Sequence, residues 1–464
     1  MLFYIIIALI AVGIFILALK KPFVALLIFL FLLPLNAFII TYAKHLFDLD
    51  PTQRLILTLW KEWLVFCLLI WAVYKVTQLH NYKVTKLYWF DYLIFGLFIL
   101  ALLTIIWGIK DIKTIAFGLR YDFEFFAVYF IGRVMRPNPK ELTTALKVVL
   151  ASSLIVVIFG ILQATVLPWD FLNKFGYTYA LEWTPGNALQ SSQIVGSTRE
   201  LSRIISTLSG PNQLGSYLTL IGVLLLSIIL FARKNLFKIG AGIYFLIILL
   251  PLYRTYSRSA WLGLVCALIV LLTYLIVRIF SPKRPLPKSN FLPAMITIVA
   301  VVSISIAGFA YLNSANPILL QEMARRGFST SNHLEALSKG VELIKDHPAG
   351  LGIGFAGPAS QWGLGLENSV ITESFFLQIG VEMGVLGIIA FVIIIISLII
   401  KLFREINRKE EVVSKIILLG SALGLIALSV NALFLHSFAD TATSLTLFAL
   451  IGMSLSRTMN KMPL

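Results

Sequence analysis

Charge is what this chain has least of. Charged residues fill 13% of its 464 positions, hydrophobic residues fill 59%, and the mean hydropathy is +0.92. A soluble domain carries roughly 25% charged residues, so a molecule with a mostly water-facing surface is excluded. Cysteine is nearly absent too. Cys67 and Cys266 both fall in apolar runs, which excludes a disulfide framework and a cysteine-based zinc site. The five histidines, His45, His80, His333, His347 and His436, show no H-x-x-x-H or similar ligand spacing, so neither a protein metal centre nor a cofactor is expected. Internal repeats, low-complexity tracts and domain linkers are also missing, and 1–464 reads as a single polytopic membrane domain. Met1 to Leu19 lacks a basic leader and a small-residue cleavage site, which makes it a first span and not a cleaved signal.

What the chain does have is apolar length. Runs of roughly 18–22 apolar residues match a hydrocarbon core about 30 Å thick crossed by helix. Candidate spans are 2–19, 22–40, 54–74, 90–109, 120–135, 143–166, 212–232, 239–254, 259–280, 291–312, 371–400, 414–435 and 441–457. The expected fold is all-α, a polytopic integral membrane helical bundle of about 12–13 transmembrane helices. A net charge of +16 invites a nucleic-acid partner, but the basic residues are dispersed among short loops between spans. Lys20–Lys21, Lys75/Lys83/Lys86, Arg133–Arg136–Lys140, Arg233–Lys234–Lys238, Lys283–Arg284–Lys288, Lys401–Arg404–Arg408–Lys409 and Arg457–Lys461 all fall on one side. That side is the cytoplasm by the positive-inside rule, and no nucleic acid is implied. The N-terminus is then outside and the C-terminus inside. Two long loops, 167–211 and 313–370, are external.

Chemistry is expected in those external segments, because the rest is hydrocarbon-compatible helix. The loop 313–370 contains an amphipathic helix with Leu334, Leu337, Val341 and Ile344 on one stripe, which should rest on the bundle top or the lipid surface. Asn332 with Glu335 three residues on forms a candidate capping box, and Pro348 ends the helix. External arginine runs against the positive-inside rule, so each one needs a reason. Arg199 and Arg203 are one helical turn apart, Arg254 and Arg258 repeat that spacing, and Arg325 with Arg326 form a third group. Guanidinium forks match phosphate oxygens, and six of them on one face point to a diphosphate site; the plain alternative is interfacial snorkelling or internal ion pairs.

His333, placed at the start of the amphipathic helix, is a candidate general base whose imidazole the helix dipole would keep neutral. Glu373, near the start of a span with Asn368 and Ser369 as possible caps, is a second candidate for taking or directing a proton. Both are equally readable as residues of helix starts. His347, in Asp346-His347-Pro348, reads first as a C-terminal helix cap and is a secondary candidate only. His436 and Asp440 form a structural pair at a short external turn in this reading, and Glu382 is expected to be paired inside the bundle. The glycine-rich GLGIGFAGPASQWGLG stretch follows no strand, so it is not a nucleotide fingerprint; tight turns that let backbone approach a sugar or the bundle fit better.

Between Arg199 and Ser456 the segments RIISTLSGPNQLGSYL, TYSRSAWLG, ELIKDHPAGLGIG, ESFFLQIGVEMGVLG and HSFADTATSLTLFALIGMSLS occur in an order and at span edges that resemble the O-antigen ligases and O-antigen/exopolysaccharide polymerases of bacteria. The resemblance implies a multi-pass glycosyltransferase of the cytoplasmic (inner) membrane. It implies an undecaprenyl-diphosphate-linked glycan donor, a glycan or lipid-linked acceptor, metal-independent transfer on the external side, and the company of polysaccharide assembly proteins. The ligases place His-Asn where this chain has Glu373-Ser374, and the family often has Ser-Gly-Arg where it has Ser331-Asn332-His333. The site expected on this basis has His333 and Glu373 as catalytic residues, with Arg203, Arg258, Arg199, Arg254 and Arg326 as diphosphate ligands. Ligase and polymerase chemistry both remain open. Two rival classes stand beside them: a transporter of lipid-linked sugars, which would show inverted repeats and broken midplane helices, and a non-catalytic component of a polysaccharide export complex.

Overall fold

Helices that are apolar on every side belong at the centre of such a bundle, and those apolar on the lipid side alone belong at its edge. The computed structural model, which describes residues 2–78, 87–108, 110–178, 193–194, 202–280, 327–365 and 368–456, bears this out. The helices run α1 Leu2–Lys20, α2 Pro22–Leu32, α3 Asn36–Phe47, α4 Pro51–Thr58, α5 Trp60–Gln78, α6 Trp89–Thr104, α7 Ile112–Met135 and α8 Pro139–Thr165. They continue with α9 Pro211–Phe231, α10 Asn235–Arg254, α11 Arg258–Phe280, α12 Gly327–Asp346, α13 Gly357–Gly363, α14 Phe375–Ile406, α15 Val412–Ala432 and α16 Thr441–Leu455. One two-stranded antiparallel ribbon pairs β1 Gln193–Ile194 with β2 Ser202–Arg203. Helix α9 is central, with 89% of its apolar window buried, against 6% for α1, whose Leu9, Ile10 and Val12 face outward.

The fold is an all-α polytopic membrane bundle. Among the described residues nine helical stretches are long and apolar enough to cross a membrane, and α6 and α16 are shorter apolar helices. The run expected at 120–135 is longer than its apolar core suggests. Asp111 caps α7, its carboxylate accepting from the Thr114 N–H at 2.8 Å and hydroxyl at 2.6 Å. Two of the polar residues that obscured this helix have partners inside the protein: Arg120 lies 2.5 Å from Glu62, and Gln378 donates to Asp122 at 2.8 Å. The 291–312 span falls outside the described residues.

Small residues set the central contacts. A Cβ on Gly132 would meet the Ala449 carbonyl at 2.9 Å, and one on Gly420 would meet the Leu224 side chain at 2.5 Å, so the first helix pair touches backbone to backbone and the second backbone to side chain. At one end of the bundle Arg133 is buried, donating to Asp91 at 3.1 Å and to the Tyr129 hydroxyl at 2.6 Å, with its guanidinium over the Tyr88 ring. Lys401 lies over the same ring. Basic residues from separate loops therefore gather at that end. The turns after α3, α6, α10 and α15 lie at the opposite end.

Helix α14 is broken there. Gly384 has φ 71° and ψ −169°, which interrupts the helical hydrogen-bond ladder. A segment following α12 fills the gap: Leu351 and Gly352 donate to the Val381 and Glu382 carbonyls at 2.8 and 3.0 Å, and Val385 donates to the Pro348 carbonyl at 3.0 Å. Backbone freed inside a membrane protein has to find such partners, since lipid offers none. The approach requires glycine. A Cβ on Gly350, which has φ +86°, would sit 2.4 Å from the Glu382 carbonyl oxygen. The glycine-rich stretch thus brings its backbone against the bundle, one of the two options open in the sequence. Glu382 is paired within the bundle as expected, its carboxylate accepting from the Ala356 N–H at 3.2 Å.

Gly350→Ala should therefore fail locally, because both the left-handed backbone and the carbonyl contact oppose a side chain. A loss of more than ~1 kcal/mol is expected, read as a lower melting temperature of the purified protein in detergent; an unchanged melting temperature would show that the loop is not seated in the break.

Candidate functional site

Three of the predicted arginines meet at one turn. The Arg203 Nε donates to the Thr255 carbonyl at 2.7 Å and its Nη2 donates to the Asn212 side-chain oxygen at 2.5 Å. The Ile204 N–H donates to the Arg254 carbonyl at 3.2 Å. These bonds tie the ribbon to the end of α10 and the start of α9. Arg254 reaches the Tyr256 hydroxyl at 3.5 Å, and its Nε is buried with no hydrogen-bond acceptor. An orphaned charged donor of this kind is rare and calls for an explanation. Arg258 is exposed as the first residue of α11. A helix start already carries partial positive charge and unpaired N–H groups. A cation there is unfavourable unless an anion joins it. Arg199, Arg325 and Arg326 lie outside the described residues.

His333 and Glu373, forty residues apart in the chain, are brought together: His333 Nδ1 lies 3.4 Å from Glu373 Oε2, both side chains about one-third exposed at 38% and 30%. Burial pushes the Glu373 carboxyl above the usual glutamate range, partly offset by His333. Its backbone has φ 50°, a left-handed conformation uncommon for a non-glycine residue. Ser206 and Tyr256, at φ 52° and 48°, share it. All three flank the segments that carry the candidate side chains, which is where such strain tends to be kept.

Two expectations about these helix starts are corrected. Helix α12 begins at Gly327, so His333 sits in its second turn and Asn332 is inside the helix rather than at a capping box. Nothing from Phe328 to Asn332 breaks a helix, and propagation costs little once a turn exists; the dipole argument, which fades beyond the first turn, no longer applies. Glu373 lies just before α14, whose N-cap is Ser374 and not Asn368 or Ser369. His347 follows the last residue of α12, exposed, its N–H donating to the Leu343 carbonyl at 2.9 Å, and so occupies the expected helix end. On the amphipathic helix, Gly340 packs against Leu377 and Thr372 of the bundle, while Leu334 and Val341 stay exposed.

His436 and Asp440 do not pair. Asp440 accepts from the Thr443 hydroxyl at 2.6 Å, which fixes the start of α16. His436 Nε2 lies 3.3 Å from the Thr372 hydroxyl oxygen, whose own proton goes to the Ser374 carbonyl at 3.0 Å. The imidazole is therefore the donor and carries its proton on Nε2. Burial pushes it down to about 4, so it is neutral at ordinary pH. Both residues line a cavity of about 760 Å3 at this end of the bundle. Asn212, the partner of Arg203, lines it as well, and Thr372 connects His436 to Glu373. Neither the three arginines nor His333 and Glu373 line this cavity; Asn212 and His436 are the lining residues nearest to them in the hydrogen-bond network. Among the described residues no group of three or more His, Cys, Asp or Glu side chains is close enough to hold a metal ion.

A family model described as O-antigen ligase matches residues 243–392. The chain carries an O-antigen ligase domain. That match, over about a third of the chain, supports the O-antigen ligase/polymerase superfamily, and the nine apolar helices among the described residues support a multi-pass membrane protein. No curated protein matches it. The matched O-antigen ligase segment contains Arg254, Arg258, His333, His347 and Glu373. Arg203, Asn212 and His436 lie outside it, and sequence reasoning missed Asn212, Thr255 and Thr372 altogether. Their roles depend on hydrogen bonds between segments 9 to 64 residues apart.

A depressed imidazole value makes the folded state lose stability as pH falls from 6.5, the ordinary value, to about 4, because only the unfolded chain takes up the proton there. Asp440, raised to about 6 by burial, slopes the opposite way. The comparison with His436→Gln cancels that contribution. Relative to His436→Gln, the wild type should lose about 3 kcal/mol across this window, measured by denaturation at several pH values; parallel curves would mean that His436 is solvated.

Proposed function

We propose that this O-antigen ligase-type chain transfers a glycan from an undecaprenyl-diphosphate-linked donor to an acceptor hydroxyl, on the external side of the cytoplasmic membrane. The observation that carries this reading is the Arg203–Arg254–Arg258 turn with its orphaned Arg254 Nε, together with the His333–Glu373 pair. The arginine turn supplies what a departing diphosphate needs. Arg203 holds Thr255 and Asn212, and thereby orients Arg254 and Arg258 toward the phosphate oxygens. Charge that develops on the leaving oxygen is met by donors already in place, which is the largest effect such sites have available.

In the transfer step the acceptor hydroxyl oxygen attacks the anomeric carbon. The bond from that carbon to the diphosphate oxygen breaks, and polyprenyl diphosphate leaves with the electron pair. The hydroxyl proton passes to His333 Nε2, while Glu373 at Nδ1 holds the ring in position and stabilises the imidazolium. Glu373 is suited to this only when ionised. Arginines take the part a divalent metal plays in other phosphate-leaving reactions, so the transfer is metal-independent. The break at Gly384 is a feature of transporters, but it lies close to the start of α14 and is filled by the chain's own loop, which favours a fixed site over an alternating one.

Arg258→Lys keeps charge and loses the bidentate fork, so kcat/KM should fall at least ~10-fold. Glu373→Gln should lower kcat ~100-fold or more and abolish the acid limb of the wild-type profile, whose inflection lies above the ordinary glutamate value. Transfer per folded molecule equal to wild type in both variants would remove the site. Sidedness is read separately in intact cells, with Cys67 and Cys266 replaced. An impermeant thiol reagent should label Lys339→Cys on α12, and should label Arg408→Cys only after permeabilisation; the reverse pattern would put the site in the cytoplasm.

A further inference from the structure

His436 has a ring nitrogen that the transfer step does not use. Its Nε2 carries the proton and is bonded to Thr372, which leaves Nδ1 as a bare acceptor. Nδ1 meets no donor among the described residues, and it is open to solvent rather than sealed in the bundle. His436 lines the cavity of about 760 Å3, whereas Thr372 does not. The edge of the ring turned to the cavity is therefore the one away from Nε2. The imidazole is neutral at ordinary pH, so Nδ1 keeps its lone pair.

A matching donor lines the same cavity. The Asn212 side-chain oxygen accepts from Arg203, which leaves its amide Nδ2 with two N–H groups and no acceptor among the described residues. Ser437, next in the chain to His436, also lines the cavity, 4% exposed and with a hydroxyl that has no hydrogen-bond partner. Polar groups at this depth are costly to leave unpaired. An acceptor, an amide donor and a hydroxyl suit a polyol, because each of its hydroxyls donates once and accepts twice. Phe117, Tyr121 and Trp362 add aromatic surface, with Trp362 stacked on Phe117 at 5.8 Å. The C–H faces of a sugar ring carry the partial positive charge that such faces attract. Charge is a lesser part of the lining: Lys61 and Arg120 are held by Glu62, and Asp440 by Thr443. Arg54 and the exposed Lys113 are the remaining lining cations, and a ring read through its hydroxyls requires neither. The volume lies within the range of small-molecule sites.

We propose that the cavity is a sugar-binding subsite in which one ring hydroxyl donates to His436 Nδ1 and another accepts from Asn212 Nδ2, so that His436 selects the ring by its hydroxyl pattern. Its role is that of a fixed acceptor; the proton of the transfer step goes elsewhere. Calling the ring part of the glycan substrate rests on the glycosyl-transfer reading, but the subsite itself does not. Both groups stand next to residues of that reading, since Asn212 bonds Arg203 and Thr372 precedes Glu373 in the chain. Asn212, His436 and Ser437 all lie outside the matched O-antigen ligase segment, so ring selection is carried by other parts of the chain. A site built around a bare acceptor rejects a ring that lacks the hydroxyl far more strongly than an apolar pocket rejects a missing methylene.

The two ring nitrogens make the test selective. His436→Gln places an amide at the Nε2 position, where it can keep the Thr372 bond, and leaves nothing at Nδ1. His436→Asn places its amide at the Nδ1 position and gives up Thr372. The full-length protein in nanodiscs, labelled with nitrogen-15 histidine, is titrated with the methyl glycosides of glucose, galactose and mannose. At least one should move the His436 Nδ1 resonance upfield, as accepting a hydrogen bond does; tetrahydropyran, the same ring without hydroxyls, should not. This arm uses the wild type and does not depend on a variant folding. His436→Gln should weaken binding of that glycoside about ten-fold, read by saturation transfer, and His436→Asn by less than about three-fold. The opposite order would leave the Thr372 bond as the only role of His436 and overturn the subsite. An unmoved resonance with all three glycosides, or an equal shift with tetrahydropyran, would overturn it too. In transfer assays His436→Gln should raise one KM about ten-fold with kcat held within about two-fold. A rise for the acceptor assigns the ring to the acceptor, a rise for the donor assigns it to the donor, and no rise for either removes the selecting role. Glycoside binding by a wild type that performs no transfer would leave the subsite standing and remove the transfer reading, whereas transfer without glycoside binding would do the opposite.

Discussion

Every peptide group in a bilayer needs a partner from within the protein, and the break in α14 shows how much follows from that requirement. Once Gly384 leaves helical geometry, the Val381 and Glu382 carbonyls need donors, and the Leu351 and Gly352 N–H groups provide them. The loop that carries these donors begins directly after α12 and leads into α13. Seating it sets the end of α12 against α14, and with it the distance from His333 to Glu373. The same loop delivers Trp362 to Phe117 at the cavity wall. A backbone constraint thus places side chains from three segments, and glycine at position 350 is the condition for it.

The arginine turn is organised by a similar economy of hydrogen bonds. Arg203 spends two donors on Thr255 and Asn212, which leaves Arg254 with a buried Nε and Arg258 exposed at a helix start. Two non-glycine residues with positive φ, Ser206 and Tyr256, stand beside these groups in the chain. The surrounding helices are rigid enough to hold them there, since α9 and α15 pack with most of their apolar windows buried.

Much of the fold was legible in the sequence because lipid imposes length and polarity on each span separately. Helix α7 was under-read for the opposite reason: Lys113, Arg120, Asp122 and Glu124 break its apolar run, and the partners of Arg120 on α5 and of Asp122 on α14 come into view only in the folded bundle. The candidate site divides in the same way. Arg254, Arg258, His333 and Glu373 stood out as polar residues near span ends. The Asn332 capping box and the His436–Asp440 pair were plausible local patterns that tertiary contacts overrode: α12 extends back to Gly327, and His436 turns to Thr372.

By itself the sequence determined that this chain is a polytopic helical membrane protein, roughly where its spans lie, and which polar residues near span ends could carry chemistry. Those properties are local sums over hydropathy and charge, and they hold whatever the neighbouring helices do. Tertiary structure alone decided that Arg203 bonds to Thr255 and Asn212, that His333 meets Glu373, and that Arg54, Lys113 and Arg120 line a common cavity. Each of these is a contact between helices whose separation along the chain carries no signal, because packing angles and a single broken helix determine which faces meet.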